Sequence, residues 1–338
     1  MFRELKFRRF QFLLIFIFST SFIISGKTNG VFIENYSSSI TDFFQFELDW
    51  MYNAYNVFKD YDKFIILIYI IEKTFSTYKD FYFRKSYDEF YAADSFELKK
   101  FSIIDVSKDL LISKETARRK IIELEKSGII KKDKKKVVIT KYGLEIQRPT
   151  GSIRSFTKLL SRFSMLLKSE NLIKKEITPN EFEILIKNNF TQFWHYFYEF
   201  QIPYLLKWKR YFGELDKWIV AGSLAYNQNL FFRNNRKEKI DNISFTKNMI
   251  EQITHLKNMQ GLNAMTISDL SGIPRPTVLR KLKSLMKSKH IIKDKKNLYS
   301  LSTNEVVIKE LENMRIATMQ KYSTLLNKYY NVVIQSRS

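Results

Sequence analysis

The feature that most constrains this chain is a duplication. Residues 113–136 (SKETARRKIIELEKSGIIKKDKKK) and 274–296 (PRPTVLRKLKSLMKSKHIIKDKK) are two versions of one segment. At an offset of 161, Ile112, Thr116, Arg119, Lys120, Leu124, Lys126 and Ser127 meet Ile273, Thr277, Arg280, Lys281, Leu285, Lys287 and Ser288. One inserted residue later, Ile129, Ile130 and Lys131 meet Ile291, Ile292 and Lys293. The match extends upstream: the stretch from Phe58 through Asp62, Lys63 and Ile65 meets that from Phe212 through Asp216, Lys217 and Ile219, at an offset of 154. An internal repeat is read before any fold, because it fixes the architecture as two copies of one unit. The units are placed at 40–172 and 180–335, joined by a polar linker at 173–179, with residues 1–39 as a leader.

Composition narrows the class. Nine Gly and five Pro in 338 residues argue against turn-rich all-β folds and glycine-loop nucleotide folds. Zero Cys excludes disulfides, thiol catalysis and Cys-ligated zinc. His195, His255 and His290 lie far apart, which argues against a histidine-rich metal site. With 45% hydrophobic residues the chain buries a real core. The expectation is a mainly α protein with small β-hairpins. Its net charge of +22 favours phosphate partners. That charge is concentrated in the duplicated blocks: 113–136 holds ten Lys/Arg against four acids, and 274–296 nine against one.

Local patterns give the elements. FIILIYIIEKTFSTY (64–78) is apolar nearly all round and reads as a buried helix. SIIDVSKDLL (102–111) reads as a short helix, and Ser113 as the N-cap of the next. There Ala117, Ile121 and Leu124 form one apolar stripe, and Gly128 is placed to end the helix in a left-handed conformation. Ile129 and Ile130 open a strand, KKDKK makes a basic tip, and VVIT (137–140) returns. In the second unit KNMIEQITHLKNM (247–259) and ISDLSG (267–272) precede a helix that starts through Pro274 and Pro276, with Val278, Leu282 and Leu285 as its stripe. Trailing helices are expected near 152–170 and 304–330, with stripes Phe156, Leu159, Leu160, Phe163 and Ile316, Met319, Tyr322, Leu326. The aromatic stretch Phe190–Phe212 reads as a packing helix that Pro203 kinks or splits.

Three helices followed by a two-stranded hairpin resemble the winged helix-turn-helix DNA-binding domain. The string ISKETARRKIIELEKSGII is similar to the recognition-helix signature of winged-helix bacterial regulators of the MarR and GntR families, and ITKYGLEI (139–146) to the strand-to-helix exit of MarR-type domains. The second unit departs from that pattern, with His290 for the usual Gly and prolines flanking Arg275. The resemblance implies recognition helices at about 114–127 and 275–288 lying in the major groove. Ser113, Lys114, Thr116, Arg118 and Arg119 in one unit, and Arg275, Thr277, Arg280 and Lys281 in the other, then face base edges and phosphates. Lys134, Lys135, Lys136, Lys295 and Lys296 at the hairpin tips then reach phosphates or the minor groove.

The remaining signals are weak. Phe10–Gly26 is uncharged and follows Arg3, Lys6, Arg8 and Arg9, in the manner of a signal peptide or short anchor. Seventeen residues as a helix span only ~26 Å, short of the ~30 Å of a bilayer core. The leader stands as spurious, disordered or membrane-associated. Gly26-Lys27-Thr28 imitates the end of a phosphate-binding loop, but Ser21 stands where its first Gly belongs. His195, set among aromatic residues, reads as a core residue rather than a catalyst. The expectation is a non-enzymatic, cofactor-free, nucleoid-associated cytoplasmic regulator that binds double-stranded DNA as a pseudo-dimeric monomer or a homodimer, its effector unknown. A plasmid- or phage-type replication initiator and a winged-helix protein-interaction scaffold are the alternatives.

Overall fold

The structure is a computed structural model and describes residues 30–31, 35–80, 83–235 and 260–337. Most of the leader, the segment 247–259 and His255 lie outside the described residues. The chain is mainly helical with small antiparallel strand pairs, as its composition led us to expect.

Two long helices open the described chain, α1 (Tyr36–Phe58) and α2 (Tyr61–Asp80). α1 thus begins inside the segment read as leader. A short α3 (Tyr87–Ala92) and β1 (Ser95–Leu98) follow, then α4 (Ile103–Asp109) and α5 (Lys114–Lys126). The strands β2 (Ile130–Asp133) and β3 (Lys136–Thr140) come next, then α6 (Lys141–Ile146) and α7 (Thr150–Ser169). Thr178 caps α8 (Pro179–Asn188) through a capping box with Glu181, so the linker closes one residue earlier than the sequence reading placed it. After it run α9 (Phe190–Phe212), α10 (Leu215–Asn235), α11 (Ala264–Ser271), α12 (Arg275–Lys287), β4 (Ile291–Lys293), β5 (Tyr299–Leu301) and α13 (Glu305–Arg337).

The helix bounds repeat at the offsets of the sequence. α1 shifted by 154 falls on α9, and α5 shifted by 161 falls on α12. The packing repeats as well. α1 lies on α10 and, reciprocally, α9 lies on α2; α5 sits on α2 as α12 sits on α10; α7 lies on α1 as α13 lies on α9. Ring contacts carry the same reciprocity. Phe43–Tyr204 (5.8 Å) mirrors Phe197–Trp50 (5.4 Å), and Phe43–Phe200 (6.3 Å) mirrors Phe197–Phe46 (6.0 Å). Residue i touching j while j's counterpart touches i's counterpart is the signature of an isologous interface, here within one chain. The apolar faces of both stretches merge into one continuous buried cluster.

α2 owes its depth to having almost no polar face: Phe64, Ile65, Ile66, Leu67, Ile68, Ile70 and Ile71 are all buried. α9 runs unbroken through Pro203, contrary to a split at that point. Proline removes one helical hydrogen bond, a cost of about 3 kcal/mol. Burial of Tyr204, Leu205 and Trp208 beyond it offsets that loss. Ile316 is exposed and drops out of the α13 stripe, whereas Met319, Tyr322 and Leu326 are buried. The two trailing helices meet through Phe156–Tyr329 and Phe163–Tyr330 ring contacts, and the Tyr330 hydroxyl donates to the Leu160 carbonyl at 2.5 Å.

Candidate nucleic-acid interface

α5 is set by its cap and its stripe. Ser113 Oγ accepts from the Thr116 amide at 3.0 Å, which fixes where the helix starts. Ala117, Ile121 and Leu124 are buried against α2 and α4. With that stripe inward, Lys114, Arg118 and Arg119 stand exposed and Thr116 is half-buried. Arg118 and Arg119 make only long pairs along the helix, 3.9 Å to Glu115 and 3.9 Å to Glu123, so both guanidinium groups keep most of their donors open to solvent.

The exit from α5 is built by glycines. Gly128 adopts φ +74°, donating its amide to the Glu125 carbonyl. Gly143 sits where a Cβ would lie 2.2 Å from the Ile129 carbonyl oxygen, so no other residue fits without moving the backbone. Thr140 ties the two together, its hydroxyl donating to the Gly128 carbonyl at 2.6 Å and accepting from the Gly143 amide at 3.0 Å. The hairpin that follows turns at Lys134 and Lys135, with Lys134 in the left-handed region (φ 46°). Lys134, Lys135 and Lys136 are all exposed. Lys136 is steadied by Glu97 of β1 at 3.3 Å. β1 turns the hairpin into a three-stranded sheet of order β1-β3-β2.

α12 repeats the arrangement with different chemistry. Pro274 holds the cap position and Pro276 lies in the first turn, where missing amides cost little. Val278, Leu282 and Leu285 are buried, which leaves Arg275 and Arg280 exposed and Thr277 half-buried. In the second hairpin Asp294 Oδ1 accepts the Lys296 and Leu298 amides, both at 2.8 Å. The lone acid of this tip is thereby spent on the turn, and Lys295 and Lys296 remain exposed. A single bridge between Leu262 and Tyr299 stands where β1 pairs in the first unit.

Lys281 is a correction. It is buried, and its ammonium meets Glu214 at 2.5 Å, on the inner side of α12. Its position, three residues after Val278 and four before Leu285, is the edge of the apolar stripe rather than the solvent face. It therefore leaves the set of side chains that face outward. Its counterpart Lys120 makes the equivalent pair, 2.8 Å to Asp60. Burial lowers the Lys120 pKa, but hydrogen bonds to Asp60 and Glu123 outweigh it and hold the ammonium above its usual value. Asp60 and Glu214, the acids that pair with these two lysines, occupy equivalent places at the offset of 154.

His195 is buried, with Nε2 3.3 Å from Glu199 and Nδ1 3.6 Å from Glu72. The ring beside Glu199 holds that carboxyl down to about 2, with Lys328 adding to the effect against burial. Among the described residues no group of three His, Cys, Asp or Glu side chains is placed to hold a metal ion, and no helix is long and apolar enough to cross a membrane. No protein-family model, no curated protein and no solved structure matches the chain.

Proposed function

We propose that this chain binds double-stranded DNA in a sequence-specific manner, as a transcription regulator of the tandem winged helix-turn-helix type. α5 and α12 are the two recognition helices, and the two lysine-tipped hairpins are the wings. In this reading Ser113, Lys114, Thr116, Arg118 and Arg119 on one side, and Arg275, Thr277 and Arg280 on the other, meet base edges and nearby phosphates. Lys134, Lys135, Lys136, Lys295 and Lys296 neutralise backbone phosphate. The protein acts without catalysis, on chromosomal DNA in the cytoplasm.

The observation that carries the reading is the duplication of a surface, not merely of charge. Each copy holds its basic helix on an equivalent long helix and follows it with a basic hairpin. The inner lysine of each copy is used up in an internal ion pair, while the outer cations stay exposed. A basic face kept only for solubility has no reason to keep that division twice.

Fluorescence anisotropy with a labelled mixed-sequence duplex at several salt concentrations tests the electrostatic part. About eight phosphate contacts give a log–log slope near −7. A slope shallower than about −2 removes the phosphate contacts from the account.

A further inference from the structure

The two hairpins differ by an insertion. Leu98 of β1 pairs with Val137, and Leu262 pairs with Tyr299, the equivalent place in the second hairpin. The equivalence is fixed two residues further on, where Ile130 faces Ile139 as Ile291 faces Leu301. From Leu262 the chain passes directly to Asn263, the N-cap of α11. From Leu98 it runs through Lys99, Lys100 and Phe101 before it reaches Ser102, the N-cap of α4. The first unit therefore carries three residues, Lys-Lys-Phe, for which the second has no counterpart.

Phe101 anchors the insertion. It is buried, and its amide donates to the Lys135 carbonyl at 2.7 Å, at the tip of the β2–β3 hairpin. Lys99 and Lys100 are thereby held beside Lys134, Lys135 and Lys136, and all five are exposed. Lys132 joins them, its ammonium donating to the Lys134 carbonyl at 3.1 Å. The strands bring two acids to this sheet, Glu97 and Asp133, and Glu97 is taken by Lys136 at 3.3 Å. Lys99, Lys100, Lys134 and Lys135 form no ion pair among the described residues. Two of these lysines, Lys100 (φ 60°) and Lys134 (φ 46°), turn the chain through the left-handed region, which Gly or Asn enters at less cost. The tip of the second hairpin uses Asn297 (φ 63°) there. At this end of the first sheet, positive charge is kept against both backbone preference and like-charge repulsion, and a polyanion laid on it offsets the repulsion.

We infer, on the DNA-binding reading above, that Lys99 and Lys100 extend the first wing into a phosphate-binding platform, so that the first half grips the duplex backbone through contacts the second half lacks. The platform is continuous with the exposed tip of the hairpin that follows α5, which points to the duplex held by that helix. Lysine ammonium groups carry charge without base information, so the platform adds affinity and leaves base preference unchanged. The anchor at Phe101 holds both lysines against the sheet before DNA arrives, which lowers the ordering cost of the contact.

The test compares the full chain with the double variant Lys99→Gln, Lys100→Gln, which removes both charges and keeps the Phe101 anchor. A labelled mixed-sequence duplex is titrated by anisotropy at several salt concentrations. The double variant is expected to bind roughly tenfold more weakly at about 0.1 M salt, with a log–log slope flatter by about 2. The pair Lys174→Gln, Lys175→Gln, which removes the same charge from the linker, is expected to weaken binding by less than about threefold. Both variants are expected to melt like the wild type. Should the double variant fail to fold, Lys99→Gln alone decides, since it leaves the left-handed turn at Lys100 intact, and its slope is expected to flatten by about 1. Steep, salt-dependent wild-type binding that the double variant retains in full overturns the platform and leaves the DNA-binding reading standing, and so does equal weakening by the linker pair. A wild-type slope shallower than about −2 overturns both. Loss of binding to phosphatidylserine vesicles with duplex binding intact assigns the two lysines to a membrane surface and likewise overturns the platform.

Discussion

At the centre of the molecule Gln201 donates its side-chain amide to Glu47 Oε1 at 2.5 Å, and each of these residues is the other's counterpart in the repeat. Both are buried, Glu47 completely. Two copies of one residue meeting on an axis of symmetry have here diverged into an acid and an amide. Glu47 Oε2 and Gln201 Oε1 are both buried without a hydrogen-bond partner among the described residues. Burial pushes the Glu47 pKa up to about 8, against the lowering effect of the Gln201 hydrogen bond.

The pH dependence of stability follows. The folded chain keeps the Glu47 proton up to about pH 8, whereas the ordinary carboxyl value is 4.5. The native state therefore binds more protons in that window, and stability falls as pH rises through it. Glu47→Gln removes the component: the variant is expected to melt at a higher temperature than wild type at pH 8, by an amount on the order of 4 kcal/mol in stability. At pH 4 the two should melt alike. Thermal melts of both proteins between pH 4 and 9 measure this, and parallel curves contradict it.

The inner lysines are structural. Lys281→Ala leaves Glu214 without its buried partner and is expected to cost roughly 1–3 kcal/mol. Arg280→Ala, one residue earlier and exposed, is expected to leave the melting temperature nearly unchanged and to weaken duplex binding. Melting curves and anisotropy on both variants give the comparison. Equal loss of DNA affinity with no loss of stability in Lys281→Ala contradicts the inward assignment.

Gly143 is irreplaceable where Gly151 is not. Gly143→Ala places a methyl against the Ile129 carbonyl and is expected to destabilise by about 2–4 kcal/mol. Gly151, in the first turn of α7, has nothing within 4 Å of its added Cβ, and Gly151→Ala is expected to be neutral or to stabilise by about 0.4–1 kcal/mol. Denaturant melts of the two variants separate these cases.

Much of this was legible in local pattern, and what escaped was non-local. Ser113 as a cap, Gly128 as a left-handed exit and the Ala117/Ile121/Leu124 stripe all follow from side chains within one helix turn of each other. β1 escaped because its alternation, Ser95-Phe96-Glu97-Leu98, runs for only four residues, and its partner β3 lies some forty positions downstream. Lys281 was misread for another reason. The repeat says which residues correspond, but not which face they share, and a lysine at the edge of an apolar stripe buries its stem whenever an acid waits behind it.

Readout and anchoring separate by mutation. Arg118→Ala is expected to cost roughly 1–3 kcal/mol in duplex binding and to relax preference at one base position. Replacing Lys134, Lys135 and Lys136 together by Ala is expected to weaken all sequences alike and to flatten the salt slope. Anisotropy across a set of single-base variants of one site shows the difference. A change in base preference from the triple variant as large as that from Arg118→Ala reverses the assignment.

The most direct measurement is selection of bound duplexes from a random pool, with protein lacking residues 1–30, followed by footprinting of the winners. The two proposed recognition helices, α5 and α12, are related by an internal pseudo-twofold yet differ as Lys114 and Arg118 differ from Arg275 and Leu279, which predicts one imperfect inverted repeat with half-sites about one DNA turn apart. A pool that never departs from random sequence contradicts the account, and iterated direct repeats contradict the pseudo-palindromic arrangement at its heart.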